Sequence, residues 1–167
     1  NTGTITPDME NNNSIEFDKV NFSYGRERVL HDVSFSINKG EKIAIVGETG
    51  AGKSTIAKLI LRFYLPSEGD VNFYGEPSRE VTQKWARKNI AYVPQESFLF
   101  RGSIKNNLIY SNPEGIDLEQ ELQEIGVLDW FERYENGLDQ EVGERGANVS
   151  AGERQFIALL RAVLAKR

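Results

Sequence analysis

The chain has 167 residues, a length that suits one domain, with 39% hydrophobic and 27% charged residues and a net charge of −5. The acidic balance argues against a general nucleic-acid binder, and the absence of cysteine excludes disulfides and thiolate metal sites. No apolar run approaches the roughly 18 residues of a membrane-spanning helix.

The first half of the chain predicts a polar lead-in, several strands and a helix. Residues 1–14 are polar and interrupted by Pro7, which is typical of a flexible linker. Alternating apolar residues then predict two half-buried antiparallel strands, carried by Ile15, Phe17, Val20 and Phe22 and by Val33, Phe35 and Ile37. The unbroken apolar run within 42–46 predicts a strand buried on both faces in a parallel sheet. Residues 53–64 predict a helix that ends before Pro66.

The second half predicts mostly helix and loop. Further strands are predicted at 71–74 and 90–93, and helices at 79–88, at 118–125 and from Leu128 onward. The last helix is predicted to begin near Ser150, with Phe156, Ile157, Leu160 and Leu164 on one face. The single histidine, His31, is expected in a surface loop.

The segment 47–54 (G-E-T-G-A-G-K-S) fits the phosphate-binding P-loop pattern G-x-x-x-x-G-K-[ST], with a predicted strand before it and a helix after it. Glycines allow the backbone amides to turn inward around phosphate oxygens, and the helix start adds positive partial charge. Lys53 is expected to reach the β- and γ-phosphates and the Ser54 hydroxyl to ligate Mg²⁺. The alternative, a glycine-rich turn without a ligand, is weakened by this context. The motif alone does not distinguish ATP from GTP.

Four further segments follow a fixed order around the P-loop: 21–25 (N-F-S-Y-G), 90–95 (I-A-Y-V-P-Q), 140–146 (Q-E-V-G-E-R-G) and 149–155 (V-S-A-G-E-R-Q). They resemble the A-loop, Q-loop, x-loop and signature motif of the nucleotide-binding domain of ATP-binding cassette (ABC) transporters. The segments 97–107 and 140–146 are similar to the exporter version of that domain rather than the importer version. The resemblance extends from Ile15 to the end of the chain.

The resemblance implies a role for each motif. Tyr24 would stack on adenine and so favour ATP. Gln95 would approach Mg²⁺ or the attacking water. Ser150 and Gly152 would cap the γ-phosphate of ATP bound to an opposite subunit. Taken singly, these residues also fit plainer roles: a core tyrosine, a solvated glutamine, a helix cap and, for 140–146, a charged surface loop.

The resulting set of expected site residues is as follows. Nucleotide is expected to contact Tyr24, Gly47, Glu48, Thr49, Gly50, Ala51, Gly52, Lys53, Ser54, Thr55, Ser150 and Gly152. Lys53 and Gln95 are the expected catalytic residues, and Ser54 and Gln95 the expected magnesium ligands, with ATP and Mg²⁺ as cofactors.

The signature segment departs from the family pattern L-S-G-G-Q at three positions but keeps Ser150 and Gly152. These departures leave open a fully competent signature or a weaker composite site in a heterodimer, and the two retained residues favour the former. Independently of the family, Ser150 and Glu153 stand three apart before an apolar helix, which predicts a capping box. A capped helix start is also an anion site, so both roles are compatible.

The resemblance implies an α/β fold: a P-loop NTPase core of the ABC ATPase type, with a mixed or parallel sheet and an antiparallel β subdomain, plus an α-helical subdomain. The predicted divisions are 1–14 as linker, 15–94 as the ATP-binding core, 95–149 as Q-loop, helical subdomain and x-loop, and 150–167 as the signature helix. The family's Walker B strand, which carries the magnesium-binding Asp and is followed by the catalytic Glu, is expected after residue 167. The 167 residues are therefore expected to be a piece of a longer protein, marginally stable and unable to hydrolyse ATP alone.

The implied function is the ATPase domain of an ABC exporter at the cytoplasmic face of the cell membrane. Its expected partners are a second nucleotide-binding domain, joined head to tail around two ATP molecules, and the transmembrane domains of the exporter, with no nucleic acid. Two alternatives remain: a non-catalytic ATP-binding regulator, and a soluble ABC ATPase acting on DNA repair or the ribosome. The exporter-like segments and the lack of basic patches argue against the latter.

Overall fold

The computed structural model describes residues 3–110 and 116–165, which fall into two compact units, Asn1–Ile90 and Ala91–Arg167. The first unit contains a four-stranded antiparallel sheet in the order β2-β1-β3-β4 and two helices. Its elements are β1 (Asn13–Tyr24), β2 (Glu27–Asn38), α1 (Lys53–Ile60), β3 (Glu68–Phe73), β4 (Glu76–Pro77) and α2 (Gln83–Asn89).

The core of the first unit lies on one face of this sheet, where alternate residues of β1 and β3 meet the apolar stripe of α1. Phe17 pairs with Phe35 across β1 and β2, and their rings stack with centroids 4.6 Å apart. The buried residues of this core are Phe17, Val20, Phe22, Leu30, Ile56, Leu59, Val71, Phe73, Val81, Trp85 and Ala86. The two antiparallel strands predicted from alternation are thus confirmed as β1 and β2.

A bulge in β1 brings the start of β3 unusually close to it. Lys19 lies in the left-handed region with φ of 46°, and the β1–β3 register shifts between Asp18 and Asn21. Gly69 faces this bulge with φ of 74°, and a Cβ at that position would lie 2.3 Å from the Lys19 carbonyl oxygen. Only glycine satisfies both the backbone angle and the close approach.

The second unit is mainly helical. Its elements are β5 (Gly102–Ser103), α3 (Ile104–Ile109), α4 (Leu118–Ile125), β6 (Glu141–Val142) and α5 (Ala151–Leu164), with short 3₁₀ turns at Leu128–Arg133, Gly137–Asp139 and Glu144–Gly146. Apolar residues from these elements form a separate core: Leu99, Ile104, Leu108, Leu118, Leu122, Phe131, Val142, Val149, Ile157, Leu160 and Leu164. The α4 helix and the last helix were both predicted from 3.6-residue periodicity, and both are confirmed.

Asn107 on α3 joins three segments of the second unit. Its side chain donates to the carbonyls of Phe100 and Ser103 and accepts from the Phe100 amide and from Arg161 on α5, all within 3.0 Å. Arg161 also donates to the Asn107 carbonyl at 2.8 Å. Because Asn107 is 1% exposed, this network replaces the water that its amide would otherwise require.

Two predicted strands are not strands in the structure. Residues 42–46 are unpaired, and Ile43, Ile45 and Val46 are 43%, 40% and 86% exposed, so the prediction of a strand buried on both faces is wrong here. Residues 90–93 are also unpaired, and Ile90 instead caps α2 by donating its amide to the Ala86 carbonyl. A strand needs hydrogen-bonded neighbours, and no strand within 3–110 or 116–165 lies beside either run.

Several other predicted elements differ from those in the structure for local reasons. The helix predicted over 53–64 ends at Ile60, because Arg62 takes a left-handed φ of 56°. The helix predicted over 79–88 begins at Gln83, because Thr82 serves as its N-cap. The helix predicted from Leu128 is a 3₁₀ turn, and exposed His31 lies in β2 rather than in a loop.

Part of the lead-in predicted as a linker is hydrogen-bonded to the first unit. The Ile5 amide donates to the Glu80 carbonyl at 2.8 Å, and the Thr82 amide donates to the Ile5 carbonyl at 3.0 Å. Residues 13 and 14 of that lead-in belong to β1. Residues 1, 2, 166 and 167, which the predicted boundaries include, lie outside the described residues, as do 111–115. Within the described part of the chain, no helix has the length and apolarity to cross a bilayer.

The bulge contact gives a test of the first unit. Replacing Gly69 with Ala should lower the free energy of unfolding more than Gly25→Ala, at an exposed turn position where φ is 60° and no atom lies within 4 Å of the added Cβ. The control carries only the left-handed backbone cost of about 1–2 kcal/mol. Gly69→Ala adds the clash with β1, roughly 1–3 kcal/mol more. Equal denaturation midpoints for the two variants would contradict the close approach.

Candidate functional site

The predicted P-loop leads directly into α1 and is anchored to β2 by a glycine. Gly50 and Gly52 have φ of 90° and 85°, angles that L side chains rarely adopt. A Cβ on Gly52 would lie 2.6 Å from Leu30 Cδ2 and 3.3 Å from the Val29 carbonyl oxygen. The loop therefore needs glycine at position 52 both for its turn and for its seat against the strand.

Lys53 is folded back onto its own loop. Its ammonium donates to the carbonyl oxygens of Gly47 and Glu48, each at 2.6 Å. The side chain of Ser54 is exposed on the first turn of α1, and the next residue, Thr55, is 4% exposed. The first amides of any α-helix lack intrahelical partners. The start of α1 therefore presents such amides together with the Ser54 hydroxyl and the Lys53 ammonium.

This donor set fits an anionic phosphate ligand, since amides and an ammonium bind phosphate oxygens and a hydroxyl oxygen suits Mg²⁺. No cluster of three or more His, Asp or Glu side chains able to hold a metal ion occurs in the part of the chain that the structure describes. The Ser54 hydroxyl is the oxygen that this loop offers to Mg²⁺.

Tyr24, the last residue of β1, lies beside the same helix. Its hydroxyl is 3.4 Å from Thr55 Oγ1 and accepts a hydrogen bond of 3.4 Å from Lys58 Nζ. The hydrogen bond with Thr55, followed by the bond and charge of Lys58, lowers the pKa of Tyr24, although burial opposes this. The structure thus brings Tyr24 and the residue after Ser54 into one cluster in the first unit.

In the second unit, α5 begins with the capping box that the sequence predicts. The Ser150 hydroxyl accepts from the Glu153 amide at 3.2 Å, and the Glu153 carboxylate accepts from the Ser150 amide at 2.7 Å. These bonds, led by the one from the Ser150 amide, lower the pKa of Glu153. Ser150 and Gly152 are both exposed, so the start of this helix is accessible.

The loop before α5 is held by Asn148 and Arg154. Asn148 donates to the Glu141 carbonyl at 2.8 Å and accepts from the Gly143 amide at 2.7 Å. Arg154 of α5 donates to the Val149 carbonyl at 2.6 Å. Arg154 also donates to the Gly146 carbonyl at 3.2 Å, so Asn148 and Arg154 together tie the segment 140–146 to the start of α5.

An open groove of about 830 Å³ in the second unit collects three of the predicted motifs. It is lined by Gln95, Glu96, Ser97, Phe98, Glu144, Arg145, Ala147, Ala151, Arg154 and Gln155. The exposed Gln95 thus shares a groove with the segment containing Glu144 and with the first turn of α5. The predicted site residues fall into two groups, one in each unit, and each group is assembled locally.

Sequence reasoning missed Lys58 and Tyr64, which contact Tyr24, and Arg154, which holds the signature loop. For Lys58 a signal existed, since it stands three residues after Thr55 and must share a helix face with it. The position of Tyr64 depends on the left-handed turn at Arg62, which no local pattern indicates.

The chain matches the profile of the ABC transporter family over residues 30–167 and belongs to that family. The P-loop, the start of α5 and the groove at Gln95 lie within the matched residues. Among solved structures, a bacterial Atm1-family ABC exporter with ATP bound superposes with a TM-score of 0.87 at 38% identity. That match covers 99% of this chain and 29% of the exporter chain. The fold is accordingly the α/β fold of an ABC ATPase domain.

Curated relatives are much longer than this chain. A putative export ATP-binding/permease protein of Rickettsia bellii is 39% identical over 93% of this chain, and an ATM1-type heavy metal exporter of Novosphingobium aromaticivorans is 41% identical over 92%. The human mitochondrial iron-sulfur clusters transporter ABCB7 is 39% identical over 96%. The chain spans 28%, 26% and 21% of these three proteins, respectively.

The capping box predicts a pH dependence. Because the pKa of Glu153 is lower in the folded chain than in the unfolded one, its charge stabilises the fold above the ordinary glutamate pKa of about 4.3. That stabilisation is lost as the pH falls through the lowered value. Glu153→Gln keeps the hydrogen bond but removes the charge, so its deficit in unfolding free energy should be present at neutral pH and vanish in acid. Glu135→Gln, at an exposed position, controls for the loss of one charge. If the deficit of Glu153→Gln in unfolding free energy persists unchanged into strong acid, the charge of Glu153 is not the stabilising group.

Proposed function

We propose that this chain is the ATP-binding domain of an ABC exporter, which couples ATP binding, head-to-tail dimerisation and hydrolysis to transport. The observation that carries the proposal is the glycine cradle at the start of α1, where Gly50 and Gly52 take left-handed angles and Lys53 lies among loop carbonyls. The similarity to an exporter structure that holds ATP supports the same assignment.

The site residues have separable tasks in this proposal. Lys53 exchanges the carbonyls of Gly47 and Glu48 for the β- and γ-phosphates, and the loop amides from Gly47 to Thr55 hold the phosphate chain. The Ser54 hydroxyl supplies an oxygen ligand, and bound Mg²⁺ would neutralise phosphate charge. Gln95 is assigned as a further magnesium ligand on the family resemblance alone. Tyr24 stacks on the adenine ring.

Ser150 and Gly152 act in trans. The start of α5 is exposed, carries a hydroxyl and presents the free amides and positive partial charge of a helix N-terminus. These features suit the γ-phosphate of ATP bound by a second nucleotide-binding domain. Closing of two such domains would move the exporter's transmembrane domains at the cytoplasmic face of the membrane.

In the ABC family, the carboxylate that polarises the attacking water follows the Walker B strand, outside the motifs described above. We therefore propose that the 167 residues bind ATP with little or no turnover. The regulator and the soluble ATPase receive no support from the relatives, whose names describe export and permease proteins. Steady-state ATP hydrolysis by a C-terminally extended chain, with and without Lys53→Ala, separates an exporter motor from a regulator.

Binding by the 167-residue chain is tested at Lys53. Lys53→Ala should weaken Mg-ATP binding by roughly 10–100-fold, the value of one charged hydrogen-bonding group, as measured by titration calorimetry. Lys84→Ala removes the same charge from the exposed surface of α2 and should leave affinity unchanged. Equal affinities for wild type and Lys53→Ala would refute phosphate binding at this loop.

Dimerisation is tested by separating the two roles of Ser150. Ser150→Ala and Glu153→Ala each break the capping box and should each cost about 1 kcal/mol of stability. Only Ser150→Ala also removes the hydroxyl, so only it should weaken ATP-dependent self-association, by roughly tenfold in sedimentation experiments. If both variants weaken association alike, Ser150 acts as a helix cap and the proposed contact in trans fails.

A further inference from the structure

Beside the P-loop, three aromatic rings form a closed triangle at the end of β1. Phe22 and Tyr24 have ring centroids 4.9 Å apart, Tyr24 and Tyr64 5.3 Å, and Phe22 and Tyr64 5.5 Å. Phe22 is 5% exposed and belongs to the core, whereas Tyr64 is 43% exposed. Tyr24 therefore stands between a buried ring and a solvent-facing one.

Both neighbouring rings meet Tyr24 at nearly right angles, 86° for Phe22 and 88° for Tyr64. Perpendicular pairs of this kind are a favoured arrangement of aromatic rings. Among the residues that the structure describes, no ring stacks parallel to Tyr24. A flat base can thus be the parallel partner of this ring without displacing an aromatic side chain.

The far end of Tyr24 is fixed as well. Its hydroxyl lies 3.4 Å from both Thr55 Oγ1 and Lys58 Nζ, on adjacent turns of α1. The same ammonium is 5.4 Å from the centroid of the Tyr24 ring. Two rings and two polar groups therefore restrain Tyr24, which is half-buried and packs against the edge of the first core.

We infer that Tyr64 is a positioning residue for nucleotide recognition: it acts through Tyr24, holding that ring in the orientation that accepts an adenine base, with Lys58 holding the hydroxyl. This inference rests on the proposed binding of ATP at the P-loop. Restraining a ring before the ligand arrives lowers the entropy that binding would otherwise lose. Tyr64 and Lys58 thus contribute to selection of the base, and the P-loop binds the phosphates.

The test compares Mg²⁺ complexes of ATP and inorganic tripolyphosphate, which shares the phosphate chain but has no base. Tyr64→Leu should lower the ratio of ATP affinity to tripolyphosphate affinity by about threefold to tenfold, the worth of one edge-to-face ring contact. Tyr64→Phe restores the ring and should restore the ratio. Phe63→Leu is the matched control, because Phe63 is the adjacent aromatic, is 66% exposed and has no ring contact with Tyr24.

A double-mutant cycle separates positioning from direct contact with the base. If Tyr64 acts through Tyr24, Tyr64→Leu should have no further effect on the ratio in the Tyr24→Ala background. Lys58→Gln, which keeps α1 intact, should lower the ratio in the same direction as Tyr64→Leu. An unchanged ratio, an equal loss for both ligands, or a full additional loss in the Tyr24→Ala background would each overturn the inference. Failure of the proposed function is distinguishable, since it would abolish tripolyphosphate and ATP binding even in the wild type.

Discussion

The packing of α1 on the antiparallel sheet is the constraint on which the first unit depends. Ile56 and Leu59 enter the core formed by β1 and β3, and this fixes the axis of the helix. The start of the helix then meets β2 at Gly52, where there is no room for a side chain. A core contact made by apolar groups thus determines where polar donors at the helix start are presented to a ligand.

The same packing connects the proposed base site with the proposed phosphate site. Tyr24 ends a strand that is buried on one face, and it reaches α1 through Thr55 and Lys58. Because the strand and the helix share one core, the distance between the aromatic cluster and the phosphate loop is set by the fold rather than by a flexible loop. In the second unit, Asn107 and Asn148 have a similar role, since each satisfies backbone groups within or beside the short strands β5 and β6.

Motifs whose chemistry is local were predictable from the sequence. The P-loop glycines, the capping box at Ser150 and the alternation in β1 and β2 each depend on residues within a few positions of one another, and the structure contains the corresponding turn, cap and strands. Predictions of strand pairing and side-chain contacts, which depend on residues distant in the sequence, were less accurate. The apolar run at 42–46 has the composition of a buried strand, but pairing is a property of neighbours and not of the run itself. The contact between Tyr64 and Tyr24 depends on a left-handed residue at Arg62, whose side chain favours no such conformation.

The two hydrogen bonds from Lys53 to its own loop affect the free energy of ligand binding. In the proposed binding, an ammonium that already has the carbonyls of Gly47 and Glu48 as partners exchanges them for phosphate oxygens. The measured affinity is then the difference between two sets of charged hydrogen bonds, and it understates the strength of either set. The same two bonds close residues 47–53 into a ring of atoms, so the loop is held in shape by its own side chain.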